Sequence, residues 1–295
     1  CFSSVNEPAV KKVYESNLKD IKLMVDFTSK FVRNKMKRDT YLVNGKVYDG
    51  FSTQYNDGSC KAIGNADPVT GFANGDWVYF YEGGVIKSCG MFDENGDTQG
   101  EWNYYFPSGK LRKKLNWKKS KFDGPYVEYF ENGVIKEKGA HKNDVLDGLI
   151  SIYYSTGVLS ISAPYTNGKV NGSVKLYHPN GLQKTSYTSV DQEIDGPYYE
   201  YYFNGNPKLE TNYTKGKENG VRTEYYSTGS ILSKSKVENS MYIGEQIGFH
   251  KNGEIESKGS FKFGKKDGVW KTFYDNGMIS EEENYENGIQ IGSQK

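Results

Sequence analysis

Long hydrophobic runs are absent from this 295-residue chain. No stretch approaches the roughly 20 apolar residues that a membrane-spanning helix requires, which excludes such a helix within these residues. Net charge is nearly absent as well, at +1: 38 Lys and Arg stand against 37 Asp and Glu. Without a global field, attraction to nucleic acid or to an anionic surface must come from local patches, and no nucleic-acid partner is expected. The three cysteines, Cys1, Cys60 and Cys89, are too few for a disulfide framework. His141, His178 and His250 do not cluster, so no zinc site is expected. A P-loop, a G-x-S-x-G elbow and a Cys/His nucleophile pair are missing too, and no catalytic residue, metal or cofactor is assigned. Aliphatic side chains are scarce, which argues against a Leu-rich interior.

What the chain has instead is 25 Tyr, 15 Phe and 34 Gly, the usage of many short strands and tight turns. Glycine sets a rhythm. Gly100, Gly124, Gly148, Gly172, Gly196, Gly220, Gly244, Gly268 and Gly292 follow at an unbroken 24-residue spacing, and all but the last have another glycine nine residues on, Gly109 to Gly277. Two looser copies, Gly50 to Gly58 and Gly75 to Gly84, precede them, giving about ten units. Between the two glycines runs an aromatic, β-branched segment such as 124–133, ending in Asn132-Gly133 or an equivalent dipeptide. That dipeptide predicts a two-residue type I′ hairpin, since both of its positions need positive φ. A second strand and a looser connection lead to the next unit. The expectation is therefore an all-β fold, an elongated single-layer antiparallel β-meander over residues 41–295.

With the first glycine of each unit as position 0, position 2 should face position 15 across the hairpin, and 6 should face 11. Large and small residues then compensate in pairs such as Trp102/Leu115 and Tyr126/Gly139. Positions 2, 4, 6, 11 and 17 are assigned to one core face, with His178 and His250 filling aromatic slots at position 6. The opposite face is the expected working surface. It carries the aromatics of position 5, Tyr105, Tyr129, Tyr153, Tyr177, Tyr201 and Tyr225, partnered at position 12 by Arg112, Lys136, Lys184 and Lys208. Cys60 and Cys89 should lie on opposite faces as thiols, with Cys60 buried. Glu200 and Glu224, at position 4 of neighbouring units, have a spacing compatible with a carboxylate pair, but the repeat lattice alone gives that spacing.

Residues 1–40 carry no repeat. Val10, Tyr14, Leu18, Ile21, Val25, Phe31 or Val32, and Met36 recur at helical spacing, which predicts one amphipathic helix. It either caps the first sheet edge or docks on a partner or membrane surface. The start at Cys1-Phe2-Ser3-Ser4 resembles a mature bacterial lipoprotein, whose N-terminal thiol carries the lipid anchor; an arbitrary boundary is the alternative.

The recurring G-x-[WY]-x-x-[YF]-[YF]-x-[NTS]-G-x-[LI] pattern resembles the MORN family (membrane occupation and recognition nexus), and more closely its bacterial variant, the YwqK-family antitoxins. Arg222 and Gln246 at position 2 and Pro207 at position 11 depart from it. The resemblance implies a single-layer sheet that binds proteins or membranes and brings no catalytic residues. The expected function is a non-enzymatic repeat scaffold of the cell envelope, lipid-anchored to the outer membrane through Cys1 and bound to a membrane-associated protein. A cytoplasmic antitoxin-like protein and a glycan-binding surface protein are the alternatives.

Overall fold

The computed structural model describes residues 37–43, 46–67 and 70–294, with side chains over 52–67 and 70–293. Every regular element among them is a β-strand, from Lys37–Val43 to Ile289–Gln294. The strands follow one another in chain order in an open antiparallel sheet, the meander that the glycine rhythm predicts. The expected helix and Cys1 lie outside the described residues. Contacts divide the chain into two compact units, one reaching Gly148 and including Ser155–Gly157, the other holding Leu149–Tyr154 and Val158 onward.

Two kinds of turn alternate, and the type I′ turn is not at the Asn-Gly dipeptides where it was expected. At Asn132-Gly133 the Phe130 amide donates to the Val134 carbonyl at 2.8 Å and the Gly133 amide to the Phe130 carbonyl at 2.9 Å. Gly133 has φ of +87°, whereas Asn132 is not among the residues of positive φ. This is a type I turn closed by a left-handed glycine bulge, not a type I′ turn. The asparagine is there for its side chain: Oδ1 accepts the Val134 amide at 3.0 Å, and Nδ2 donates to the Ser155 carbonyl at 3.0 Å. Type I′ turns occupy the supposedly loose connections instead. Asn143 and Asp144, at φ +50° and +69°, join strands paired Lys142↔Val145, and Lys119-Ser120 and Asn167-Gly168 do the same.

Side-chain parity along the second strand reverses three residues after Gly133. Pairing runs Tyr126↔Gly139 and Glu128↔Glu137, as positions 2↔15 and 4↔13 should, but then jumps to Tyr129↔Ile135 and leaves Lys136 as the extra residue. Position 5 therefore faces 11, and the expected 6↔11 pairing is replaced. One face carries positions 2, 4, 13, 15 and 17; the other carries 3, 5, 11 and 14. Apolar packing occupies both faces, so the single core face read from the sequence does not hold. On the second face of the first unit, Cys60, Ile63, Val78, Phe80, Ile86, Cys89 and Tyr105 form one buried cluster. Cys60 and Cys89 thus share a face, because the bulge separates their strand parities; both are buried thiols.

On the first face, tryptophans lie across glycines of the preceding hairpin. A Cβ added to Gly64, Gly90 or Gly259 would meet the indole of Trp77, Trp102 or Trp270 at 2.0–2.5 Å. Each indole N–H donates to a neighbouring backbone carbonyl, that of Asn65, Met91 or Ser260. Compensation in size hence acts between successive hairpins. The position-0 glycine serves a second, wider bulge: with Tyr187↔Tyr198 and Ser189↔Ile194 paired, Thr188 opposes three residues centred on Gly196, whose φ is +108°. The departures leave the hairpins intact, since Arg222↔Ser235, Gln246↔Gly259 and Pro207↔Tyr201 keep the register.

Candidate functional site

The tyrosines of position 5 share the second face, with Tyr105 buried and Tyr129, Tyr153, Tyr177, Tyr201 and Tyr225 half-buried. The basic residues of position 12 do not join them. As the extra residue of its bulge, Lys136 turns to position 4 and pairs with Glu128 at 3.0 Å, and Lys208 pairs with Glu200 at 3.1 Å. Arg112 and Lys184 occupy the same bulge place in their hairpins. The expected Tyr/Lys surface is thus split between the two faces, and its parity error has the same origin as the one in the core.

Three of these residues meet where strand passes into turn. A depression of about 350 Å³ is lined by His178, Lys184, Thr185, Glu200, Tyr201, Tyr202, Phe203 and Lys208. The adjoining hairpins position it through a hydrogen bond that repeats along the sheet. The His178 imidazole donates from Nε2 to the Tyr201 carbonyl at 3.2 Å, as the Tyr202 hydroxyl does to the Tyr225 carbonyl at 2.7 Å. His178 therefore sits at the turn edge, not in a core slot, and its ring stacks edge-on against Phe203 with centroids 5.3 Å apart. Phe203 is 59% exposed beside the exposed Leu182. The sequence held a signal for Phe203. The equivalent turn place elsewhere holds Pro107, Glu131, Ser155, Pro179, Ser227, Lys251 or Asp275, so an aromatic there is the exception.

Charge around the depression is organised by the position-4 carboxylates. Burial pushes the Glu200 carboxyl up, but hydrogen bonds from Tyr198 and Lys208 and the charges of Lys208 and Arg222 outweigh it, so its pKa lies below the ordinary value. Burial likewise opposes ionisation of Glu224, and Arg222 and Ser233 reverse the balance. Arg222, standing where five other repeats place Trp or Tyr, bridges Glu218 and Glu224 at 2.8 Å each. Glu200 and Glu224 are thus held in separate ion pairs and do not form an acid/base couple. On the second face, burial and Glu210 push the Tyr225 hydroxyl up to about 12 while it donates to that carboxylate at 3.0 Å. Among the described residues no group of His, Cys, Asp and Glu has the arrangement of a metal site.

The hairpin geometry, a type I turn with a glycine bulge alternating with a type I′ turn every 24 residues, is the setting for a family comparison. Five segments match the family described as MORN repeat variant. They are residues 98–119, 122–143, 194–215, 242–263 and 266–287, together well under half of the chain. Each MORN match ends on the first residue of a type I′ turn. The intervening hairpins, unmatched, have the same turns and register. No curated protein matches the chain. Solved structures with some likeness include the TcdB2-TccC3-Cdc42 crystal structure, at 13% identity and a TM-score of 0.21, and TcdB2-TccC3 without its hypervariable C-terminal region, at 14% and 0.20. Each match covers 84% of this chain and 16% of the solved one. At that level the likeness supports no statement about the MORN-like array.

Proposed function

We propose that the protein is a non-enzymatic MORN-type repeat scaffold of the cell envelope, held at the membrane by a lipid on Cys1, whose second unit grips a protein partner. The depression beside Phe203 carries this reading. An exposed aromatic between Lys184 and Lys208 offers what interface centres use: a rigid apolar anchor bordered by charge that orients the partner. Lys184 suits a partner segment with an acidic residue flanking an apolar one, Lys208 being held by Glu200. A surface open to solvent favours contact over enclosure of a small substrate.

Affinity capture from native membranes tests it, comparing the wild-type chain with a Phe203→Ala, Lys184→Glu variant. The expected result is one dominant captured protein whose recovery falls at least about tenfold for the variant, at an unchanged melting temperature. Equal recovery would remove the depression from the interface. Mass spectrometry of the native N-terminus tests the anchor, and an amine without acyl chains would refute it. A neighbouring toxic protein neutralised on co-expression would instead favour the antitoxin role, and glycan binding lost in Tyr129→Ala plus Tyr153→Ala the lectin role.

A further inference from the structure

Position 19 is the first residue of every type I′ turn, held at positive φ. It is Asn143, Asn167, Asn239, Asn287, Asp191, Lys119 or Lys215 in seven turns, and Phe263, at φ +50°, in the eighth. Asn and Asp tolerate this region, whereas for a bulky aromatic it is strained. The strain is not relieved by packing, because Phe263 is 74% exposed, the highest value for a large apolar side chain among the described residues. A residue unfavourable to its own turn and directed into solvent contributes nothing to folding, so its use lies outside the chain.

Its surroundings agree. The Gly264 amide donates to the Tyr242 carbonyl at 2.9 Å, seating the turn on Met241, whose Cβ and Cγ lie 3.8 Å from where a Gly264 Cβ would stand. On the next rung the Gly288 amide reaches the Lys266 carbonyl at 2.9 Å and is followed by Ile289. Met241 and Ile289 are both exposed, at position 21, where the other repeats have Lys121, Val145, Lys169, Glu193, Lys217 and Lys265. An apolar strip centred on Phe263 therefore marks this edge of the second unit where the last repeats lie, while Val190 is exposed farther back along the same edge.

The rim decides between a lipid surface and a protein. Lys262 and Lys265 flank the tip, but so do the exposed Glu238 and Glu286, on the rungs before and after it. An anionic bilayer would repel those carboxylates, whereas an apolar centre inside a rim of both signs is the anatomy of a protein interface. We infer that the Phe263 turn edge is a second docking surface, where Phe263 enters an apolar pocket of a protein partner that sets charges of both signs against the rim. The inference rests on the scaffold reading but uses the opposite turn edge from the Phe203 depression.

Photocrosslinking in the native cell tests it, with benzoylphenylalanine placed at 265, beside the tip, in one strain and at 182, beside the depression, in another. The expected result is a crosslink from 265 to one protein, which, once identified and purified, binds the wild-type chain and loses about tenfold or more in affinity to Phe263→Asn and to Met241→Asp. Phe263→Asn should at the same time raise the melting temperature by about 2–4 °C, since asparagine suits the left-handed turn. A purely structural role predicts the opposite sign. Crosslinking from 182 alone would overturn this surface and leave the scaffold standing, and silence at both would sink the two together. Flotation with phosphatidylglycerol vesicles that Phe263→Asn abolishes, without any protein crosslink from 265, would reassign the tip to lipid and overturn the inference.

Discussion

At Gly90 the chain needs space and not backbone freedom. Its φ is not in the left-handed region, yet an added Cβ would sit 2.0–2.4 Å from the Trp102 ring. That ring is anchored by its bond to the Met91 carbonyl and packs against Phe92, so it cannot slide without loss. Gly90→Ala should therefore destabilise by about 1–3 kcal/mol, the range of an overpacked site. Urea unfolding would measure it. Pairing of Ser162 with Lys175 places Ala163 beside Val174, a natural alanine opposite a smaller side chain. Gly90→Ala combined with Trp102→Val should accordingly fall short of the summed effects of the two single changes. Full additivity would mean that ring and glycine are independent. The size rule was visible in the sequence, but it was read within a hairpin, because nothing in a linear pattern says which neighbouring hairpin lies across the strand.

At the scale of the hairpin, the turn edges are stitched by side chains at position 6. Hydroxyls of Tyr55, Tyr81, Tyr154, Tyr202 and Tyr226 donate to backbone carbonyls one hairpin on, at 2.7–2.9 Å, and His178 and His250 take the same role. Phe106 and Phe130 have no hydroxyl to give. Tyr202→Phe should cost about 0.5–1.5 kcal/mol, and Phe106→Tyr should stabilise by a similar or smaller amount through the Tyr129 carbonyl. Thermal melts of the pair would show opposite shifts. A loss of stability in Phe106→Tyr would mean that the hydroxyl is not received. The repeat, the strands and the 2↔15 register were legible because glycine spacing and alternation are local properties. The parity of positions 5, 11 and 12 was not. Asn-Gly is compatible with two hairpins that differ by one bulged residue, and choosing the shorter one moved Ile135 and Lys136 to the wrong faces. The tyrosine hydroxyls and the histidines at position 6 were the available clue, since a polar tip recurring in one column implies a recurring partner.

Over the whole molecule, the principal strand pairings join neighbours along the chain, so stability is close to a sum over repeats and their shared borders. Deletion of residues 220–243, one full period inside the second unit, brings Thr211 up against Gln246 and keeps every later residue in its place within the lattice. The shortened protein should remain folded and monodisperse, with a urea m-value smaller by about a tenth and a modest fall in melting temperature. Glu218 loses Arg222 in this variant, and because both side chains of that pair are largely covered, part of the fall in melting temperature should come from there. Deleting only residues 220–231 removes half a period. It would set a second-strand segment where a first-strand segment belongs, exchange the two turn types and turn the buried positions outward. That variant should be insoluble or unfolded by circular dichroism. If the whole-period deletion also failed to fold, cooperativity would extend beyond adjacent hairpins, and the lattice would not be the unit from which this protein is built.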